Sequence, residues 1–216
     1  MDLQAARTAM IDSQVRPNDV TDRRVIAAMA AVPREAFLPA AKVSLAYADV
    51  APETGPGRHL MAARDFAKLT NSAAIKETDR VLDIAPGAGY SSAVLARIAG
   101  SVVALEQDEA AAKTVRDTLS KVGVSSVEVI SGALKAGVPA KAPFDVIFVN
   151  GAVEDVPKAW VDQLAEDGRL VVVVFEGLVR RARVYTRSGG KTAWRTPFES
   201  AAPSLPGFER AEEFRL

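Results

Sequence analysis

A glycine turn and an acidic residue about twenty positions later form the stretch of this sequence best suited to chemistry. Residues 81–90 read VLDIAPGAGY, in which a short apolar run precedes Gly87 and Gly89. This pattern predicts a buried strand, a tight turn and a helix. Glycines let a ligand approach the backbone, and the helix start offers free N–H groups. Glu106 ends the next apolar run, where a carboxylate would hold a ribose diol. The pattern predicts a nucleoside-containing cofactor.

S-adenosylmethionine is the cofactor that this turn fits best. A dinucleotide-binding turn needs a third glycine, and Ser92 stands at that position. S-adenosylmethionine carries no phosphate and needs less of an anion cradle. The first glycine of the methyltransferase version of the turn is replaced by Ala85, and Asp83 precedes it. We expect Asp83 either to order the glycine loop or to contact the amino group of the cofactor. The predicted cofactor-binding residues of this part of the chain are Asp83, Ala85, Gly87, Gly89, Glu106 and Gln107.

The composition argues against several other classes of function. The chain has 216 residues, with 27 basic and 27 acidic side chains, a balance that does not suggest a nucleic-acid or membrane partner. It has no cysteine and one histidine, which excludes disulfides and a His-rich metal cluster. We therefore expect no metal. The N-terminal residues lack the pattern of a signal peptide, and the longest strongly apolar run, residues 170–175, is too short to span a bilayer. We expect a cytoplasmic protein.

The second part of the chain alternates between predicted strands and predicted helices. Strands are predicted at residues 80–84, 101–106, 126–130, 144–149 and 169–175, and helices at 89–99, 108–122 and 157–165. This order predicts parallel βαβ units in a sheet that is covered by helices on both faces. The uninterrupted valines at 171–174 predict a central buried strand. Residues 179–195 predict a hairpin around a Ser-Gly-Gly turn, and residues 208–216 a last edge strand.

The first part of the chain is predicted to be helical. Helices are expected at residues 2–16, at 23–31 with Thr21 as the N-cap, and at 62–76, with a loop over residues 40–57. We expect one domain, in which residues 1–76 form a helical cap and the acceptor loop. Residues 77–216 then form the cofactor-binding sheet and the C-terminal strands.

With these elements assigned, the chain resembles the protein-L-isoaspartate O-methyltransferase family from about residue 14 to about residue 175. The most specific match is residues 32–37, which read VPREAF, and further matches lie at residues 14–16, 22–25, 46–49, 79–90, 144–149 and 167–171. The resemblance implies an α/β fold of the Rossmann-like class I methyltransferases. Such a fold has a mostly parallel seven-stranded sheet, helices on both faces and an N-terminal helical cap. It also implies S-adenosylmethionine as cofactor, an isoaspartyl carboxylate as methyl acceptor and a role in protein repair.

The loop that contacts the methyl acceptor in this family departs from the family pattern. The family loop reads roughly G-x-G-Q-T-I-S-Q-P, and residues 55–63 read GPGRHLMAA. His59 replaces the threonine and Met61 the serine that help to bind and orient the acceptor carboxylate, and Met61 cannot donate a hydrogen bond. Arg58 and His59 are our candidate catalytic residues. Arg58 is suited to a bidentate contact with a carboxylate, and His59 either acts as a general base or is a solvated surface side chain.

Two later segments also differ from the family and add candidate cofactor residues. Ala133 ends Ser-Gly-Ala, where the family commonly has Gly-Asp-Gly near the adenine. Asn150 begins Asn-Gly-Ala, where the family commonly has a Thr-Ala-Ala type of segment. Asn150 follows a predicted strand at the sheet edge where open α/β folds bind ligands. It equally suits a turn before the next glycine.

Three functions are compatible with this sequence. The first is an S-adenosylmethionine-dependent O-methyltransferase of the isoaspartyl type, whose acceptor is a protein or peptide with isoaspartyl residues or an unidentified small carboxylate. The second is a non-catalytic family member that binds the cofactor or a protein partner. The third, an NAD-linked Rossmann enzyme, is disfavoured by the missing third glycine. We expect a monomer or weak dimer.

Overall fold

A seven-stranded sheet forms the centre of this computed structural model, which describes residues 2–209. The strands are β3 (Arg80–Ile84), β4 (Ser101–Glu106), β5 (Val127–Ser131), β6 (Phe144–Val153), β7 (Leu164–Glu176), β8 (Val179–Ser188) and β9 (Lys191–Arg195). They lie in the order β5-β4-β3-β6-β7-β8-β9. The first five are parallel, and β8 and β9 are antiparallel additions. The predicted mostly parallel sheet is confirmed. A separate hairpin pairs β1 (Glu53–Gly55) with β2 (Arg58–His59).

Helices cover the two faces of the sheet. The α-helices are α1 (Leu3–Met10), α2 (Arg23–Ala31), α3 (Ala63–Ala73), α4 (Tyr90–Leu95), α5 (Glu109–Lys121) and α6 (Lys158–Asp162). A π-helical turn at Ile11–Val15 and a 3₁₀ turn at Arg16–Asn18 follow α1. Further 3₁₀ helices span Arg34–Phe37, Ala40–Leu45, Leu134–Ala136 and Pro139–Lys141. Among residues 2–209, no helix has the length and apolar character needed to cross a membrane.

The central strands are buried on both faces, as their uninterrupted apolar sequences predict. Along β3, Val81 packs into the core that contains α2, α3 and α4, whereas Leu82 and Ile84 pack into the core on the opposite face. This alternation follows from the two-residue period of a strand. Trp160 and Leu164 are both buried in the second core. The interior of the sheet is therefore closely packed, and side chains are accessible mainly where the strands end.

Several predicted α-helices end earlier than expected. The helix predicted at 62–76 ends at Ala73, because the next residue, Ala74, has a left-handed φ of 47°. The helix predicted at 2–16 is α-helical only to Met10 and continues as π and 3₁₀ turns to Asn18, where Pro17, which has no N–H, and the left-handed φ of 59° at Asp19 end it. The helix predicted at 89–99 is α-helical only to Leu95. The chain then continues with i→i−3 hydrogen bonds, such as the one from Ile98 N to Leu95 O at 3.0 Å. The helix predicted at 157–165 ends at Asp162, because the Gln163 carbonyl accepts from the N–H of β6 at 2.9 Å.

Other local predictions were wrong or fall outside the described residues. The N-cap of α2 is Asp22, not Thr21, and its carboxylate accepts from Arg24 N at 2.8 Å. The segment 40–57 is not simply a loop, because it contains a 3₁₀ helix and β1. Most of the edge strand predicted at 208–216 lies beyond residue 209, where the description ends.

Candidate active site

Glu106 lies at the carboxyl end of β4 and is tied directly to the glycine turn. Its side chain is fully buried, and its Oε1 accepts the backbone N–H of Gly87 at 2.6 Å. Its Oε2 accepts the N–H of Gln107 at 3.2 Å. The parallel register of β3 and β4 sets this geometry, because it brings the ends of the two strands side by side. A carboxylate held in this way, at the carboxyl end of the second parallel strand and beside the glycine turn, is positioned to bind ribose hydroxyls.

The turn between β3 and α4 adopts the left-handed backbone that glycines favour. Gly87 has φ of 67° and Gly89 of 98°, and Ala85 has φ of 59° despite its Cβ. A Cβ on Gly89 would come within 3.1 Å of a Val115 methyl group and crowd α5, and the φ of 98° itself favours glycine at this position. A Cβ on Gly87 would meet only side-chain atoms, the hydroxyl of Thr54 at 3.6 Å and Arg58 Nη2 at 4.0 Å. Gly87 therefore leaves its backbone open towards the β1–β2 hairpin.

Asp83 is enclosed by protein donors beneath this turn. Its Oδ2 accepts from the hydroxyls of Ser91 at 2.7 Å and Ser92 at 2.6 Å, and its Oδ1 accepts from Asn150 Nδ2 at 2.6 Å. Burial raises the pKa of the Asp83 carboxyl from 3.8 to about 6, although these three donors oppose the shift. The carboxylate orders the turn by joining β3, α4 and β6. Of the two roles that we expected for Asp83, these contacts serve the first.

The remaining predicted cofactor residues lie at the neighbouring strand ends. Gln107 and Ala133 are exposed after β4 and β5, whose last residues, Glu106 and Ser131, are paired. Asn150 lies where the pairing of β6 with β7 shifts register, and its Nδ2 also donates to Ile84 O at 3.0 Å. The structure therefore brings all eight predicted cofactor residues to one edge of the sheet.

A cavity of about 220 Å³ lies over Gly87 and Glu106, and we call it the cofactor cleft. Its walls are Thr54, Gly55, Pro56, Arg58, Gly87, Ala88, Glu106, Gln107, Ala111 and Thr114. The glycine backbone, the strand-end carboxylate and the opening beside α5 suit a nucleoside with a free ribose diol. The residues present thus fit S-adenosylmethionine, and Glu106 is the residue that would hold its ribose.

Arg58 does not point towards an acceptor in this structure, because it binds Glu106. Its Nη2 lies 2.8 Å from Glu106 Oε1 and 2.8 Å from Ala85 O, and its Nη1 lies 3.3 Å from Glu106 Oε2. His59 follows it with an exposed side chain. Lys42 contacts Glu53 at 2.5 Å and holds the pKa of that carboxyl below its usual range. The hairpin is therefore fixed by one ion pair at its base and another in the cofactor cleft.

A second, much smaller cavity lies on the other side of the hairpin, and we call it the acceptor cavity. It measures about 10 Å³ and is lined by Gly57, Arg58, His59, Met61, Asn150, Gly151, Pro203, Ser204, Leu205 and Pro206. Residues 203–205 are held there by backbone bonds with Ala152 at 2.8 Å in both directions. A Cβ on Gly57 would lie 3.1 Å from Pro206, so the hairpin tip is in close contact with this segment.

Arg34 is a structural link between the two sides that the sequence reasoning did not identify. It is 1% exposed, donates to Ala46 O at 2.8 Å and to Met61 O at 2.5 Å, and stacks over the Tyr90 ring at 5.0 Å. Burial lowers the pKa of its guanidinium. It therefore fixes the acceptor loop at Met61 against the first residue of α4. Its place in the VPREAF motif, which carries the family resemblance, was the signal available.

Comparisons with known proteins decide the family. The family model described as protein-L-isoaspartate(D-aspartate) O-methyltransferase matches residues 5–200. The chain belongs to this family. Protein-L-isoaspartate O-methyltransferase of Methanoculleus marisnigri is 37% identical over 168 residues, covering 78% of this chain and 76% of the relative. The enzyme of that name from Roseiflexus sp. is 40% identical over 174 residues, covering 81% and 79%.

Solved structures agree with this membership. A structure named protein-L-isoaspartate O-methyltransferase superposes with a TM-score of 0.81 at 25% identity, covering 93% of this chain and 66% of that one, slightly less than two thirds of its length. A Plasmodium falciparum protein, provisionally given the same name and determined with S-adenosyl-L-homocysteine, has a TM-score of 0.79 at 18% identity, covering 92% and 97%. The class I methyltransferase fold and the S-adenosylmethionine-dependent methyltransferase class are confirmed, and the non-catalytic alternative is not favoured.

Proposed function

We propose that this protein transfers a methyl group from S-adenosylmethionine to the carboxylate of isoaspartyl residues in proteins or peptides. The observation that carries the proposal is the contact of the Glu106 carboxylate with the Gly87 N–H at 2.6 Å. It joins the acid at the end of β4 to the glycine turn after β3, which together make a nucleoside site. Membership of the protein-L-isoaspartate O-methyltransferase family supports the acceptor class.

Each cofactor residue has a distinct part in this proposal. Glu106 accepts the ribose hydroxyls, and the backbone of Gly87 borders the ligand without a Cβ in the way. Gln107 and Ala133, exposed at neighbouring strand ends, border the adenine side. Asn150 and Asp83 act together, since their hydrogen bond of 2.6 Å holds the part of the site that borders the methionine portion of the cofactor. Gly89 and Ala85 shape the turn.

The reaction requires alignment more than acid–base help. The bound cofactor supplies a methyl group on a positively charged sulfur, which an ionised carboxylate takes without any proton transfer. The protein must exclude water and align the acceptor oxygen with that methyl group. We assign Arg58 to the acceptor carboxylate, because a guanidinium can form two parallel hydrogen bonds with it. His59, exposed beside it, borders the entry of the acceptor chain.

Methyl transfer to a matched pair of peptides tests this proposal. One peptide carries isoaspartate and its twin carries ordinary aspartate at the same position, and both receive labelled S-adenosylmethionine. We expect label in the isoaspartyl peptide only, at a rate far above that of a variant with both Gly87→Val and Gly89→Val. Circular dichroism checks that the variant is folded. Label at the rate of the double variant would contradict the proposal.

A changed acceptor is the second candidate, and Met61 is the observation that favours it. The family serine at this position donates a hydrogen bond, whereas Met61 is buried and apolar. The same assay with a panel of small carboxylates separates the two candidates. Label in a small carboxylate, with none in the isoaspartyl peptide, would retain the carboxyl methyltransferase and replace its acceptor.

A further inference from the structure

Arg58 belongs to two sites at once. Among residues 2–209, it is the residue that lines both the cofactor cleft and the acceptor cavity. Its side chain is 15% exposed and ends in the cofactor cleft. Its backbone belongs to β2, whose partner strand β1 also borders the cleft through Thr54 and Gly55. Arg58 is therefore placed between the two sites.

The contacts of Glu106 leave no acceptor position free for a ribose. A carboxylate has about four lone-pair sites, two on each oxygen. Oε1 accepts from Gly87 N and Arg58 Nη2, and Oε2 accepts from Gln107 N and Arg58 Nη1. Two of the four donors thus come from Arg58. Because the other two are backbone groups of the site itself, the ribose hydroxyls must replace the guanidinium.

The acceptor side is closed by the same hairpin. The acceptor cavity of about 10 Å³ is the size of a single water position and does not admit a carboxylate-bearing side chain. The cofactor cleft, at about 220 Å³, is also below the range of about 300–1,000 Å³ usual for ligand pockets. With Arg58 on Glu106 and Gly57 against Pro206, the hairpin narrows both sites.

We propose that Arg58 is a positioning residue that passes from Glu106 to the methyl acceptor when the cofactor binds. The ribose diol takes its place on Glu106, the β1–β2 hairpin moves away from Pro206, and the released guanidinium becomes the docking group for a carboxylate. This inference rests on the proposed function. It makes binding ordered, with the cofactor before the acceptor. It also accounts for an arginine in a loop that lacks the hydroxyls of the family.

Calorimetric titration with S-adenosylhomocysteine tests the competition on Glu106. Arg58→Met keeps the length of the aliphatic stem and removes every donor, and Arg58→Lys keeps the charge. The matched control is Lys42→Met, which removes the other ion pair of the hairpin, with Glu53. We expect Arg58→Met to bind about tenfold more tightly than the wild type, since a charge-assisted pair no longer has to be broken. Arg58→Lys should lie between them, and Lys42→Met should bind like the wild type.

Hydrogen–deuterium exchange of residues 53–59 supplies a readout that is independent of activity. We expect S-adenosylhomocysteine to speed exchange in the hairpin of the wild type, and to change it little in Arg58→Met, whose hairpin is already released. Ligand binding ordinarily slows exchange, so the direction is diagnostic.

The outcomes separate this inference from the proposed function. Equal affinities for the wild type and Arg58→Met, or tighter binding by the wild type, would overturn the exchange of Arg58 and leave the methyltransferase intact. Slower exchange of residues 53–59 on binding would overturn it as well. Absence of binding in both proteins would overturn the inference and the cofactor site together.

Discussion

The cofactor side and the acceptor side of this site are built in different ways. On the cofactor side, Glu106, Gly87 and Asp83 extend from the ends of buried strands and are held by hydrogen bonds of 2.6–2.7 Å. On the acceptor side, the β1–β2 hairpin has five strand residues, and its guanidinium contacts the cofactor side rather than its own cavity. The first side is fixed by the sheet, and the second is fixed by single side chains.

This difference separates the strand ends, which suit the cofactor of the enzyme class, from the hairpin, which we assign to the methyl acceptor. Strand ends cannot move without breaking the core, and the turn keeps a left-handed backbone at Ala85 although this residue replaces a glycine. The hairpin is held chiefly by the Lys42–Glu53 and Arg58–Glu106 ion pairs. We therefore expect substitutions in the hairpin, such as one at the exposed His59, to change the acceptor site without disturbing the fold.

Loss of Arg34 should have the largest effect on stability, because this residue joins the two sides. In Arg34→Leu, the carbonyls of Ala46 and Met61 lose their donor inside the protein. We expect the free energy of unfolding in urea to fall by about 3 kcal/mol, in the range for leaving buried polar groups unsatisfied.

Arg80→Leu is the matched control for that variant. Arg80 also donates to one carbonyl, Pro143 O at 3.0 Å, and also lies over a ring, Phe144 at 5.3 Å, but it is only half-buried. We expect a loss of about 1 kcal/mol. Equal losses in the two variants would mean that Arg34 is not a special link between the sides.

The pH dependence of stability tests the buried carboxylate of the cofactor side. The pKa of Asp83 is about 6 in the folded protein, against 3.8 as its ordinary value. Its ionisation therefore disfavours the folded state, by about 3 kcal/mol above pH 7. The stability that the protonated Asp83 carboxyl contributes is fully present below pH 3.8 and is lost as the pH rises through about 6. Relative to Asp83→Asn, the wild type should gain about 1.4 kcal/mol between pH 8 and pH 5.

Urea unfolding of both proteins at several pH values measures this difference. The amide keeps the shape of the side chain and removes its charge, so that the other titrating groups cancel. A difference between the two proteins that stays constant from pH 8 to pH 5 would show that Asp83 has an ordinary pKa.

His59 offers a way to sharpen the assignment of the acceptor side. Because its side chain is exposed beside Arg58, we expect His59→Gln to raise the KM for the acceptor peptide about threefold, a surface-contact effect of under 1 kcal/mol. The Kd for S-adenosylhomocysteine should stay unchanged. A changed cofactor Kd with an unchanged acceptor KM would move His59 to the cofactor side.

Ala85→Gly should give the smallest effect, and in the stabilising direction. Ala85 has φ of 59°, a conformation that costs an L-residue about 1–2 kcal/mol. The added freedom of glycine in the unfolded chain offsets much of this. We expect a net gain of about 0.5 kcal/mol, measured by thermal unfolding. A loss of stability would mean that the buried methyl group matters more than the backbone conformation.

The sequence predicted the cofactor side well, for reasons that lie in sheet geometry. Strands β3 and β4 were predicted to the residue, because their apolar runs have sharp ends. Two strand ends in parallel register must meet, so Glu106 had to lie beside the glycine turn. The two serines after the turn were not predicted as partners of Asp83, because their small side chains serve equally well at a helix start.

The acceptor side was predicted less well. The hairpin residues 53–59 read ETGPGRH and carry none of the aliphatic or aromatic side chains whose alternation predicts a strand. The contact of Arg58 with Glu106 spans 48 positions and depends on a flexible side chain, for which no spacing rule exists. Arg34 was recognised only as part of a family motif, since a buried arginine bound to carbonyls leaves no pattern in the sequence.

The most direct test of the cofactor site is a calorimetric titration of the purified protein with S-adenosylhomocysteine, compared with the same titration of Glu106→Gln. The amide keeps the volume of the side chain but can no longer accept both ribose hydroxyls at once. We predict saturable binding with a Kd of about 1–10 μM, weakened at least about thirtyfold in the variant, as expected for losing a charge-assisted hydrogen bond. Absence of binding by the wild type would show that there is no cofactor site. Equal binding by both proteins would show that Glu106 does not hold the ribose.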